Sequence, residues 1–88
     1  MIDFSQYNLS NDDIEFLEYL REELEISQAP VDLKCGDYSF HIDPGSGGAQ
    51  IWRYGEMIGD FKTIDDLFLN FKIDGKSFIE RISEIEYD

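Results

Sequence analysis

Eighty-eight residues that carry 20 Asp and Glu against 7 Lys and Arg have a formal net charge of -13. That excess argues against a nucleic-acid-binding surface, where Lys and Arg supply most of the affinity by neutralising phosphates, and against adhesion to an anionic membrane leaflet. The length allows one domain, residues 1–88, and a hydrophobic content of 42% with 7 Phe, 5 Tyr and 1 Trp gives it the material for a core despite the charge.

The first element begins at Leu9-Ser10-Asn11-Asp12-Asp13-Ile14. Ser10 is placed to cap free amides, Asp13 to answer from three residues on, and Leu9 to staple against Ile14. A helix from about Asn11 to Glu25 follows, with Ile14, Leu17, Leu20 and Leu24 on one side at 3.6-residue periodicity and Glu15, Glu18, Glu22 and Glu25 as a stripe on another. Glutamates three or four residues apart repel by a few tenths of a kcal/mol per pair, and Arg21 is the base within reach to offset this.

Pro30 ends the helical stretch, and Val31, Leu33 and Cys35 then alternate with Asp32 and Lys34 as a strand with one buried face. Gly36-Asp37 reads as a two-residue hairpin turn with glycine first, which sets Cys35 opposite Tyr38, Leu33 opposite Phe40 and Val31 opposite Ile42. Residues 43–48, Asp-Pro-Gly-Ser-Gly-Gly, form a turn-rich loop. After it, Ala49 to Tyr54 and Met57 to Phe61 pair around Gly55-Glu56, so that Tyr54 faces Met57, Trp52 faces Gly59 and Gln50 faces Phe61. Both faces of this second hairpin then carry apolar residues, and helices covering one side leave open either an Ile51/Ile58 patch or a Trp52/Tyr54/Met57 patch.

Thr63-Ile64-Asp65-Asp66 repeats the capping pattern and starts a short helix with Ile64, Leu67, Phe68 and Phe71 on one side. Gly75 suits the break after it. A last helix from about Lys76 or Ser77 to Glu84 groups Phe78, Ile79, Ile82 and Ile85 and leaves Glu80, Arg81 and Glu84 toward water. The expected fold is α+β: an N-terminal helix, a four-stranded antiparallel sheet made of two hairpins, and two short C-terminal helices packed on it.

No catalytic, cofactor-binding or metal-binding signature emerges. His41, the sole histidine, falls opposite Asp32 in the first hairpin, a pairing that would orient an imidazole for acid–base work but is better explained by an exposed cross-strand ion pair. Ser39 shares its face, yet no second base or oxyanion arrangement accompanies it. Cys35, the sole cysteine, rules out an internal disulfide and alternates onto the apolar face, where packing explains it. The segment Asn70 to Gly75 starts like a calcium loop, but Lys72 and Arg81 stand where oxygen ligands are needed. Asp12-Asp13 and Asp65-Asp66 sit in first helical turns, where carboxylates favour the helix dipole. The loop at residues 43–48 lacks the lysine of a phosphate-binding loop and leads into a strand.

The charge is therefore the informative feature. Residues 1–28 hold eight acids and one base, residues 29–62 five and three, and residues 63–88 seven and three, so the N-terminal third is the acidic pole. A basic partner would be drawn in by long-range attraction that weakens with salt. The expectation is a small non-enzymatic inhibitor or immunity-type protein that blocks the basic surface of a nuclease toxin or nucleic-acid-binding enzyme. Glu15, Glu18, Glu22 and Glu25, rising about 4.5 to 6 Å per step, would stand where phosphates lie, with Trp52 and Tyr54 as anchors. The alternative is an assembly or adaptor module that buries an apolar face of the second hairpin against an identical copy or a larger subunit, with charge serving solubility. No run approaches the roughly 20 apolar residues of a membrane span. A secretion signal is not evident at the N-terminus, so a cytoplasmic location is expected, and the residue usage is of a bacterial or phage kind.

Overall fold

In the computed structural model, which describes residues 2–45 and 47–88, the first regular helix starts where its capping residues put it. Helix α1 spans Asn11–Arg21. Ser10 Oγ accepts from the Asp13 amide at 3.1 Å, and Asp13 Oδ2 accepts from the Ser10 amide at 3.2 Å, so each satisfies a donor that the first turn leaves free. Beyond Arg21 the chain continues as one wider π-helical turn, Glu22–Ile26, rather than as α-helix to Glu25. Leu17, Leu20 and Leu24 are buried, and Ile14 is half-buried.

Strands β1 (Val31–Cys35) and β2 (Tyr38–Pro44) pair in the expected register, Val31 with Ile42, Leu33 with Phe40 and Cys35 with Tyr38. The second hairpin differs. Strands β3 (Ala49–Arg53) and β4 (Glu56–Phe61) are joined by Tyr54-Gly55, not by Gly55-Glu56. Both turn residues have left-handed backbone, φ 51° at Tyr54 and 81° at Gly55, which is the two-residue loop whose twist matches that of its strands. Trp52 therefore pairs with Met57, and the register shifts at a bulge before Ile51 pairs with Gly59. The loop before β3 is pinned at its far end. A side-chain carbon at Gly48 would collide with the carbonyl groups of Phe61 and Lys62, so glycine lets the two backbones touch. Ser46 of that loop lies outside the described residues.

Helix α2 spans Ile64–Asn70, with Thr63 Oγ1 accepting from the Asp66 amide at 2.9 Å. The C-terminal third then departs from the expected second helix in three ways. Lys72–Ile73 (β5) and Lys76–Ser77 (β6) form a two-stranded hairpin around Asp74-Gly75, both with positive φ. Ile79–Glu84 is a tighter 3-10 helix. Ile85–Tyr87 (β7) joins the main sheet beside β1, with Leu33 opposite Tyr87 and Cys35 opposite Ile85. The main sheet thus has five strands, in the order β4-β3-β2-β1-β7, instead of four. Pairing with β7 satisfies backbone groups that β1 would otherwise present at an edge.

One apolar cluster holds the fold together. Alternate residues of the main sheet (Val31, Leu33, Phe40, Ile42, Ala49, Ile51, Ile85) meet Leu17, Leu20 and Leu24 from α1 and its π turn, Ile64, Leu67 and Phe68 from α2, and Phe78, Ile79 and Ile82 from the 3-10 segment. Phe68 and Phe78 stack at 5.4 Å, and Phe40 presents an edge contact to Phe71 at 5.4 Å. All helical elements lie on this one face of the main sheet, which leaves its other face to solvent. The structure is thus α+β, with helices on one side of an antiparallel sheet. No helix among the described residues is long and apolar enough to cross a membrane.

Candidate partner-binding surfaces

The six residues singled out in the sequence fall into two groups. Glu15, Glu18, Glu22 and Glu25 are exposed on α1 and its π turn, on the side away from Leu17, Leu20 and Leu24. Arg21 bonds Glu25 at 3.4 Å and also pairs with Asp65 on α2, so the sole base of the acidic pole is drawn toward the α1/α2 seam. Among the described residues Glu15, Glu18 and Glu22 have no cation within 4 Å to offset their mutual repulsion.

Trp52 is on the opposite side of the molecule. Its neighbours in β3, Ile51 and Ala49, point into the core, so Trp52 projects from the uncovered face of the sheet. There it pairs laterally with His41 on β2 and Met57 on β4, and His41 pairs in turn with Asp32 on β1. The result is a row across four strands, Met57, Trp52, His41, Asp32. His41 Nδ1 lies 2.7 Å from Asp32 Oδ1, and both side chains are well exposed. The expected pairing is therefore present, in a setting open to water. Among the described residues no hydrogen bond joins Ser39 to His41. The Trp52 indole Nε1 is shielded from solvent and has no acceptor among the described residues.

Tyr54, at the hairpin tip, is 88% exposed, and with Met57 (48%) and Ile58 (40%) it makes an apolar rim along β4. Of the two patches considered for this hairpin, Ile51 belongs to the core, while Ile58, Met57 and Tyr54 are open. A shallow groove of about 190 Å³ runs beside this row, lined by Asp32, Ser39, His41, Trp52, Arg53 and Asp88 among others. Arg53 closes one end. Its Nε donates to the Ser39 carbonyl at 2.8 Å, and its guanidinium lies 3.9 Å from the Tyr38 ring centre and 4.9 Å from that of Tyr54. Neither the aromatic clamp on Arg53 nor the four-strand row was expected from the sequence. Both depend on how β2 meets β3, and the alternation within each hairpin does not report that pairing.

The remaining candidates have structural explanations. Cys35 is buried against the 3-10 segment, and burial, with the Glu84 carboxylate adding to it, pushes its thiol above the ordinary range. Arg81, expected toward water, instead donates from Nε to the Ile73 carbonyl at 2.7 Å and pairs with Glu84 and Asp74, which ties the small hairpin to the 3-10 helix. Glu80 Oε1 accepts from the Ser77 amide at 2.9 Å and from its hydroxyl at 2.7 Å, and these bonds hold its carboxyl below the usual range. The segment Asn70 to Gly75, which begins like a calcium loop, is largely the β5/β6 hairpin. Among the described residues no group of three or more His, Cys, Asp or Glu side chains is arranged to hold a metal. Comparison with family models, with curated proteins and with solved structures gives no match to this chain.

Proposed function

We propose that this is a small non-enzymatic inhibitor or immunity-type protein that occupies a basic surface of a nuclease toxin or nucleic-acid-binding enzyme by charge complementarity. The observation that carries the reading is the exposed run of Glu15, Glu18 and Glu22, with Glu25 beyond it, on a helix whose one arginine is turned aside to Asp65. Glu15, Glu18 and Glu22, without a cation within 4 Å among the described residues, repel one another, whereas a basic partner would convert each into an attraction. Binding of this kind is fast and falls as ionic strength rises.

A second reading rests on Tyr54, Met57 and Ile58, whose exposure suits an assembly module that buries the rim of β4 against another subunit or an identical copy. Partner capture on immobilised protein, washed at low and then raised salt with mass-spectrometric identification, separates the two. A basic nucleic-acid enzyme or toxin released by salt, and no longer retained by the triple variant Glu15→Lys, Glu18→Lys, Glu22→Lys, is the expected result. Unchanged affinity of that variant would sink the inhibitor reading. Recovery of only the protein itself, resistant to salt, would favour assembly.

A further inference from the structure

We propose that the uncovered face of the sheet is a second docking surface, which takes an extended cationic segment of a protein and seats an arginine side chain across Trp52. It shares with the preceding reading only the sign of the partner's charge and uses the opposite side of the molecule.

The uncovered face has a definite chemistry. Alternation along the strands puts Asp32, Asp43, Asp60, Glu86 and Asp88 on it, around a centre made of Trp52, Met57 and His41. Among the described residues the cations nearest this centre are already engaged: Lys34 lies 3.5 Å from Glu86, and Arg53, at one end of the groove, is held by the Ser39 carbonyl and two tyrosine rings. An apolar, aromatic centre rimmed by carboxylates is complementary to a guanidinium, which stacks on an indole while donating hydrogen bonds in its own plane to acids at the edge. Asp32 and Asp88 line the same groove as Trp52 and are placed to take those bonds.

Two further features select the occupant. The groove volume, about 190 Å³, is below the roughly 300–1,000 Å³ of small-molecule sites and is suited to one long side chain. A second copy of this chain is disfavoured as occupant, because each copy would bring a net charge of -13 to the other.

Trp52 is the sole tryptophan, so its indole N–H gives one resolved reporter at the centre of the face. The test is an amide and indole NMR titration of the full chain with a capped hexa-arginine peptide at physiological salt. Saturable shifts of the Trp52 indole and of the Asp32, His41 and Trp52 amides are expected. Trp52→Leu should weaken the peptide about tenfold, as truncation of an anchor residue does. Asp32→Asn, at an exposed position that leaves the core untouched, should weaken it severalfold. The triple lysine variant on α1 should bind with unchanged Kd, so that failure here and failure of the α1 reading are told apart. The proposal is overturned if the shifts centre on Glu15 to Glu25 or spread without saturation over all acidic residues. It is equally overturned if Trp52→Leu and Asp32→Asn bind as the parent does, or if the same signals move with protein concentration alone, which would identify a second copy as the occupant.

Discussion

Arg21→Met removes the cation that joins α1 to α2 while keeping an unbranched apolar stem in place, and its effect follows from three contacts. The guanidinium pairs with Asp65, the two side chains being only 22% and 29% exposed, so solvent screens the pair less than a surface contact. An ion pair at the favourable end of the exposed range contributes about 1 kcal/mol. The same group lies 5.4 Å from the centre of the Phe68 ring, a cation–π contact of about 1 kcal/mol at a partly buried site. The bond to Glu25 on the same helix adds only about 0.3 kcal/mol. The expected loss is therefore about 2 kcal/mol, which at about 4–8 °C per kcal/mol for a domain of this size lowers Tm by about 8–16 °C. Urea unfolding followed by far-ultraviolet circular dichroism gives the free energy directly. A double-mutant cycle with Asp65→Asn should return about 1 kcal/mol of coupling. A loss below about 0.5 kcal/mol for Arg21→Met would show that the arginine is solvated rather than structural, and the seam between the helices would then have to be held by Leu17, Leu20, Leu67 and Phe68 alone.

Three other outcomes follow from contacts elsewhere in the fold. Gly48→Ala should destabilise the protein by about 1–3 kcal/mol, because the added methyl meets backbone carbonyls that cannot rotate away; thermal unfolding that matches the parent would refute the close approach. The Cys35 thiol should resist alkylation at neutral pH until denaturant opens the core. Its raised pKa also means that the stabilisation from keeping the thiol protonated is complete below the ordinary value of 9.0 and is lost as pH climbs past it, so rapid labelling of the native protein, or a flat stability profile above that pH, would count against burial. For Glu80 the sign is reversed. A carboxyl held low by Ser77 contributes stability above the ordinary carboxylate range that disappears as pH falls through it, so Glu80→Gln should be less stable than the parent at neutral pH and equal to it in acid. A gap that persisted in acid would mean that the charge plays no part.

Where a segment's pattern and its turn chemistry agreed, the sequence was a sufficient guide. Val31 to Ile42 has strict alternation and a glycine-led turn, and its register is as expected throughout. In the second hairpin the two signals conflict. Gly55 suits either turn position, Tyr54 is an unusual residue for left-handed backbone, and the bulge at Ile58 means that no single register fits the whole pair. The C-terminal segment departs from its local pattern for a different reason. Phe78, Ile79, Ile82 and Ile85 satisfy a helical period, and all four are buried, but Ile85-Glu86-Tyr87 also alternates as a strand. What decides between these is the free side of β1, about fifty residues earlier in the chain, and no local pattern reports a distant edge. Asp74-Gly75, flanked by Ile73 and Lys76, does carry a hairpin signal, which a helix-breaking glycine masks when Gly75 is read alone. The acidic stripe was legible because exposure on a helix follows from periodicity. The row of Asp32, His41, Trp52 and Met57 was not, since it requires the pairing of β2 with β3.

The position of β7 also governs the order in which the molecule can be completed during synthesis. A nascent chain that has emerged from the ribosome through β4 has both hairpins, yet β1 is still a bare edge next to hydrophobic rings on α1. Phe16 and Tyr19 gain their ring contacts with Tyr87, at 5.5 and 6.4 Å between ring centres, only when β7 is in place, so the last strand adds to what the buried leucines of α1 already hold. Until then the unpaired strand is a template for the wrong neighbour. Crowding of carboxylates at the N-terminal pole opposes association of such chains with one another by mutual repulsion.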